Sequence, residues 1–195
     1  MGGVMTDVFE VLSADHADVK GMLTVLQESP GHDQASDAVQ AARQDVADYL
    51  IMDSSRHEAA EEQYFWPIVR QRLRDGQALA DKAISQEQRA KEILARLDKS
   101  SSRDEEFDRL LAEYIPAARQ HIAFEESRVW PGLRPLLTPD EAQDLGAKIQ
   151  AAEEKGPTRP HPHTPPSPGV LKSAGPAVAV VDRLRDAISG RGRTD

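Results

Sequence analysis

The sequence predicts an all-α fold, an up-down-up-down four-helix bundle with a short extra helix and an extended C-terminal tail. Three observations carry this. Apolar residues recur at intervals of three and four over most of residues 7 to 129, few stretches alternate as strands do, and short polar breaks with capping signals separate the helical runs. Short connections make successive helices antiparallel neighbours, so that each buries its apolar stripe against the others.

From Asp7 to Glu28 the residues Val8, Leu12, Val19, Leu23 and Leu26 form the first stripe, and Asp7 with Glu10 is a capping pair at its start. The segment SPGHD, 29 to 33, breaks it, and a second helical pattern runs to about Arg74. Residues 77 to 99 make a third helix. It ends in KSSSR, where Ser102 with Glu105 reads as a capping box for a fourth helix reaching about Val129. Thr138, Pro139 and Glu141 spell one more helix start, with proline in its favoured first position. Pro67 and Pro116 fall inside helical patterns, where each lacks a backbone donor and crowds the carbonyl four residues earlier, so kinks or endings are expected there. The bundle also makes a demand of length: His16 lies about 13 residues before the first break and His57 lies 24 after it. If both sit at one level, about eleven residues, roughly 16 Å of helix, must overhang, bend or form a separate segment between residues 30 and 43.

Past Lys155 the stretch GPTRPHPHTPPSPG precludes regular structure. Beyond it Val178, Val181, Leu184 and Ile188 fall on one side of a short helix, a face for docking on the bundle or on a protein partner. The chain therefore divides into a bundle over residues 6–135, an accessory helix over 138–154, a proline-rich linker over 155–175 and a short amphipathic helix over 176–189. His161 and His163 in HPH are at best a weak metal pair, since flanking prolines hold the chain extended and no third ligand adjoins.

Composition excludes much. The net charge is −9, and because residues 155 to 195 carry seven basic against three acidic side chains, residues 1 to 154 hold −13. Such an acidic body argues against nucleic acid or an anionic membrane as partner. The chain has no cysteine, which removes disulfides, thiolate zinc sites and cysteine nucleophiles, so any metal must bind through nitrogen and oxygen. The start MGGVMTDVFEVL has neither a basic nor an apolar leader region, Met5 serves equally well as a start, and no apolar run is long enough to span a membrane, so a cytoplasmic location is expected.

The chemistry lies in a repeat. HEAAEEQYFWP, 57 to 67, returns 64 residues later as HIAFEESRVWP, 121 to 131, sharing H-x3-E-E-x3-W-P. On a helix, residues i and i+4 share a face, so His57 with Glu61 and His121 with Glu125 each offer an imidazole and a carboxylate to one point. Helices two and four run parallel in this topology, which sets the pairs at similar depth across the core and suits a two-metal site with both carboxylates able to bridge. Helix one adds His16, inward among Leu12, Val19 and Leu23. The framework H-x3-K-x2-L-x2-L from His16 matches Glu87, Lys91, Leu94 and Leu97 in helix three, which makes Glu87 the register equivalent of His16. A carboxylate can replace imidazole at a hard ferrous or ferric centre. One H-x3-E is ordinarily a solvated pair, but two copies with a shared W-P and an inward histidine are far harder to meet by chance. Glu58, beside His57, and Tyr64, on the same stripe, are further candidates, although solvation and packing are their commoner uses. Trp66 and Trp130 read as core packing, and Glu62 and Glu126 as surface.

These residues resemble the hemerythrin-like, or HHE cation-binding, pattern: a helix-one histidine, H-x3-E, a helix-three histidine and a second H-x3-E. The resemblance covers about residues 6 to 133, and the proline-rich tail is similar to those of actinobacterial members. It implies a four-helix bundle with a non-haem di-iron centre, two irons per chain, held by His16, His57, Glu61, His121 and Glu125. The departure is Glu87, where the family usually has histidine, and fewer imidazoles argue against reversible oxygen carriage. The expectation is a di-iron protein acting on dioxygen, peroxide or nitric oxide, with catalase-like or nitric-oxide-directed oxidoreductase activity conceivable. The alternative is an iron or redox sensing module whose metal occupancy controls docking of the tail helix or a partner.

Overall fold

The protein is described here by a computed structural model that covers residues 6–163, 179–182 and 186. Helix α1 (Val8–Glu28) begins as its first residues dictate, with Asp7 accepting from the Glu10 N–H at 2.9 Å and Glu10 accepting from the Asp7 N–H at 3.0 Å. Helix α2 (Asp37–Ala60), capped by Ser36, runs directly into a π-helical segment, Glu61–Phe65, and then α3 (Trp66–Arg72). Helix α4 (Gly76–Leu97) returns across it, and α5 (Glu105–Phe124) passes into a second π-helical segment, Glu125–Val129, and the short α6 (Trp130–Leu133). Helix α7 (Pro139–Lys155), with the Thr138 and Glu141 capping box formed, packs on α1 and α2. The described residues contain no strand, and none of their helices is long and apolar enough to cross a membrane.

Two apolar clusters define the bundle, and their order along each helix fixes its direction. Val8, Phe9 and Leu12 belong to one and Val19, Leu23 and Leu26 to the other, so α1 runs from the first cluster to the second. Helix α2 runs back from Leu50 to Ala60 and Phe65, α4 forward from Ala83 to Leu94, and α5 back from Leu110 to Phe124 and Val129. This is up-down-up-down. Close packing of α7 on the start of α1 demands a glycine, because a Cβ on Gly146 would stand 2.7 Å from the Thr6 carbonyl oxygen.

Several local expectations change. Ser102 does not cap α5; Asp104 occupies that position, and the buried Ser102 instead donates to the Gln40 carbonyl at 2.7 Å while its N–H reaches Gln44 at 2.9 Å. A tertiary bond that satisfies a buried carbonyl has displaced a local cap that water can replace. The surplus length becomes overhang. Helix α2 starts 20 residues before His57, and the loop 29–36 folds against its first turns, where Asp108 receives the His32 backbone N–H at 2.7 Å and also pairs with Arg43. Pro116 neither ends nor interrupts α5, whose buried Tyr114, Ile115 and Ala118 hold the helix against its neighbours. At Pro67 the helix does change, from the π-helical segment that ends at Phe65 to α3.

Residues 156–163 lie along α4, with Gln88 donating to the Pro162 carbonyl at 2.7 Å and Arg159 bridging Asp98 and Asp186. Of the helix expected over 176–189, residues 179–182 are helical and the others lie outside the described residues except Asp186. Among its described residues Ala179, Asp182 and Asp186 are buried, the two aspartates in ion pairs, and Val181 is exposed, while Val178, Leu184 and Ile188 of the expected stripe lie outside the described residues. His161 pairs with Asp182 at 2.8 Å.

Candidate metal centre

Between the two apolar clusters lies a single polar layer. On α1 it is His16, on α2 His57 with Glu61 just beyond, on α4 Glu87, and on α5 His121 with Glu125 just beyond. All six sequence-predicted residues therefore stand at one depth, and Glu61, Glu87 and Glu125 are fully buried. Two groups of ligand-type atoms form. One combines His16, His57 and Glu125, the other Glu61, Glu87, His121 and Glu125, each within 4.8 Å, so Glu125 belongs to both. Its Oε2 lies 3.0 Å from His16 Nε2 and its Oε1 3.1 Å from His121 Nε2. Glu61 lies 3.4 Å from His57 Nε2, and Glu87 4.0 Å from His121 Nε2. Glu58 is buried on the same layer, with Oε2 3.9 Å from the Lys91 ammonium, outside both groups. Tyr64 packs against the apolar cluster that contains Trp66.

The imidazoles share one orientation. Their Nε2 atoms point inward, and each Nδ1 is held from outside: His16 by Glu126 at 3.0 Å, His57 by Asp15 at 3.3 Å and His121 by Gln86 at 3.3 Å. Such outer partners fix ring orientation in metal-binding histidines. Glu62 is thus not the surface residue that the sequence suggested, and Glu126, a third exposed, is held inward to His16. Glu126 also pairs with Lys20 at 2.6 Å, and Glu62 is buried against Lys91 at 2.5 Å. Each of these helpers adjoins a site residue on its own helix but serves the next helix, a relation that spacing along one helix does not reveal.

The tryptophans also do more than fill space. Nine residues along an ideal α-helix rotate a side chain by roughly 180°, away from the starting histidine. The π-helical segment absorbs about one residue and brings that offset to roughly 80°, so each Trp of the repeat turns back toward the layer. Trp66 Nε1 donates to Glu87 at 2.7 Å, and the Trp130 ring stacks on His16 at 5.0 Å between centroids. In both segments the Trp N–H bonds to the carbonyl five residues back, that of Glu61 or Glu125, and the proline that follows opens the next α-helical turn.

Electrostatically the layer is strained toward a cation. Burial, together with Glu125 and Glu87, holds the Glu61 carboxyl well above the usual range, and burial does the same to Glu87. Burial pushes Glu58 up to about 8 despite Lys91. Burial opposes the charge on Glu125 too, but His121 and His16 outweigh it and hold that carboxyl low. Desolvation would lower the His121 imidazole, yet Glu125 and Glu87 push it up to about 9. Apart from ion-pair contacts with one another, Nε2 of His16, His57 and His121, both oxygens of Glu61 and of Glu125, and Oε2 of Glu87 have no polar partner. Buried polar atoms are ordinarily bonded, and a nitrogen and carboxylate donor set of this kind fits a hard or borderline cation.

The hemerythrin HHE cation binding domain model matches residues 7–133, about two thirds of the chain. The chain belongs to the hemerythrin HHE cation binding family. Membership makes it a helical metal-binding domain. It is similar to an uncharacterized hemerythrin-like protein of Schizosaccharomyces pombe, with 24% identity over 183 residues, covering 93% of this chain and 86% of that protein. A crystal structure of a hemerythrin HHE cation binding domain-containing protein from Mycobacterium kansasii shares the fold, with a TM-score of 0.63, 20% identity and coverage of 77% of this chain and 86% of that one. The family match stops before α7, yet α7 supplies Glu153, whose Oε1 lies 3.9 Å from His57 Nδ1 and forms with Asp15 and His57 a third, outer group of ligand-type atoms.

Proposed function

We propose that this hemerythrin-family chain is a non-haem di-iron protein acting on dioxygen, peroxide or nitric oxide, with redox or peroxide-decomposing chemistry ahead of reversible oxygen carriage. One observation carries the reading: two buried groups of nitrogen and oxygen ligand atoms share Glu125. Iron bound there supplies a Lewis acid and an electron store. Glu125, common to both groups, together with Glu61, Glu87, His16, His57 and His121 would hold it. Trp66 holds one oxygen of Glu87, leaving the other free to point inward. The carboxylate share of the set favours the ferric state, and so oxidation over carriage. The test is elemental analysis with an absorption spectrum on protein purified without a histidine tag. About two irons per chain with an oxo-to-iron charge-transfer band are expected, and a single zinc or no metal overturns the reading.

A second reading, an iron-responsive binding module, draws on the tail. Gln88, next to Glu87, is bonded to Pro162, and Arg159 ties the same strap to the end of α4 and to Asp186. A metal that repositions α4 would be felt there. Metal-dependent protease protection of the tail, without turnover of peroxide, would favour this reading over the first.

A further inference from the structure

The helical stretch 179–182 of the tail lies on the protein inside out. Its buried side chains are Ala179 at 1% exposure and Asp182 at 0%, joined by Asp186 at 9%, whereas Val180 and Val181 stand 54% and 48% exposed. At roughly 100° per residue the buried three fall within roughly 60° of one another, and the two valines occupy the opposite side. Aspartate is ordinarily outside and valine inside, so the usual order is reversed. The aspartates tolerate burial because each is paired, Asp182 with His161 at 2.8 Å and Asp186 with Arg159 at 2.9 Å. No such compensation reaches the valines. Four large apolar side chains are exposed among the described residues, and these two are neighbours, the others being Val25 and Leu136. In sequence Leu184 and Ile188 follow Val181 at helical spacing, and both lie outside the described residues.

We infer that this apolar ridge is an interface between two copies of the chain, the tail helix of one packing against that of the other across a two-fold axis. Charge selects the occupant. Residues 155–195 carry seven basic against three acidic side chains, or +4, and residues 1–154 carry −13, so a tail brought to a second copy meets a body of opposite sign. An anionic lipid surface suits the ridge equally well but is repelled by the acidic body. A two-fold contact is self-complementary, so Val180 and Val181 of one copy meet the same residues of the other. Area sets the strength. Two half-exposed valines and their surroundings fall well short of the roughly 800 Å² per partner of a stable complex, so the pairing is weak, with a Kd on the order of 100 μM.

The test uses the full chain. Sedimentation equilibrium from about 10 to about 500 μM should show a mass rising toward two chains. The Val180→Asp, Val181→Asp double variant should weaken that association by about tenfold or more with an unchanged circular dichroism spectrum. Because the chain has no cysteine, single-cysteine variants report the contact directly. Under mild oxidation Val180→Cys or Val181→Cys should form a disulfide-linked dimer, while Val25→Cys, similarly exposed on α1, should stay monomeric. A constant mass, or crosslinking no faster at positions 180 and 181 than at 25, overturns the interface. Binding to phosphatidylglycerol vesicles that Val181→Asp abolishes, without self-association, also overturns it and assigns the ridge to lipid. Neither the mass nor the crosslink involves iron, so both decide the interface whatever the metal centre holds.

Discussion

The two copies of H-x3-E-E-x3-W-P are matched in sequence and unequal in surroundings. In the second copy His121 and Glu125 neutralise each other at 3.1 Å, and His16 adds a further contact to the carboxylate at 3.0 Å. In the first copy Glu61 faces other carboxylates and is driven toward its protonated form, while the outer nitrogen of His57 turns to the acidic Asp15 and Glu153. The outer nitrogen of His121 meets instead the neutral amide of Gln86. A duplicated motif thus gives two half-sites at one depth, and the helices packed around each decide its charge. The second copy is prepared before metal arrives, whereas the first depends on metal to relieve it.

The largest expected effect tests which half holds the site together. Because Glu125 belongs to both ligand groups and Glu61 to one, Glu125→Ala should abolish metal binding, and Glu61→Ala should leave about half of the metal. Equal losses, measured as metal per chain after anaerobic loading, would break the asymmetry. Next comes pH. Glu61, Glu87 and Glu58 have raised pKa values in the folded chain, with Glu58 at about 8 and His121 raised to about 9, so each contributes stability below its unfolded value that is lost as pH rises through the folded one. Glu125, held low, works in the other direction only at acid pH. The melting temperature of metal-free protein should therefore fall between about pH 5 and pH 9, and metal should flatten the curve by taking the place of the protons. A flat metal-free profile would mean that the layer is wet.

The tryptophans give a smaller, cleaner contrast, since both are large, mostly buried rings at the same place in the repeat. Trp66 donates to Glu87, whereas Trp130 Nε1 makes no hydrogen bond. Substitution to phenylalanine removes similar volume from each, but only Trp66→Phe leaves a buried carboxylate oxygen without its donor. It should be the more costly by about 1–3 kcal/mol, several degrees of melting temperature in a domain of this size. Equal shifts would reduce Trp66 to packing.

How much of this was legible follows from the range of each signal. Period and caps along one helix gave α1, α4 and α7 closely, and the repeat gave four of the six layer residues, because i and i+4 geometry is local, while His16 came from the stripe of α1 and Glu87 from the framework that α4 shares with it. The role of Ser102, the passage of α5 through Pro116 and the π-helical segments depend on neighbouring helices. The π-helical segments did leave a trace in W-P at a fixed distance from both histidines, whose meaning appears once the rotation of nine residues is worked out. Glu126, Asp15 and Gln86 were hidden for another reason: each is read on its own helix as a polar neighbour of a site residue, while its partner is on the helix alongside.

That crosswise arrangement sets the smallest prediction. Asp15 serves His57 from α1, and Glu126 serves His16 from the π-helical segment after α5, so each carboxylate orients a ring on another helix. Asp15→Asn and Glu126→Gln keep shape and hydrogen-bonding capacity but remove charge from the far side of the imidazole, and so make the inward Nε2 less basic toward a cation. Loss of such outer partners typically costs 10- to 100-fold in metal affinity, and these conservative changes should fall at about the lower figure. The two should also differ. His57 has Glu153 as a second carboxylate 3.9 Å from the same nitrogen, while Glu126 alone faces His16 Nδ1 among the described residues and is itself tied to Lys20. Glu126→Gln should therefore weaken binding more than Asp15→Asn in a competition titration against a chelator, and the Asp15→Asn, Glu153→Gln double variant should recover the difference. If Asp15→Asn alone has the larger effect, the acidic cleft outside His57 holds cation in its own right rather than orienting the ring.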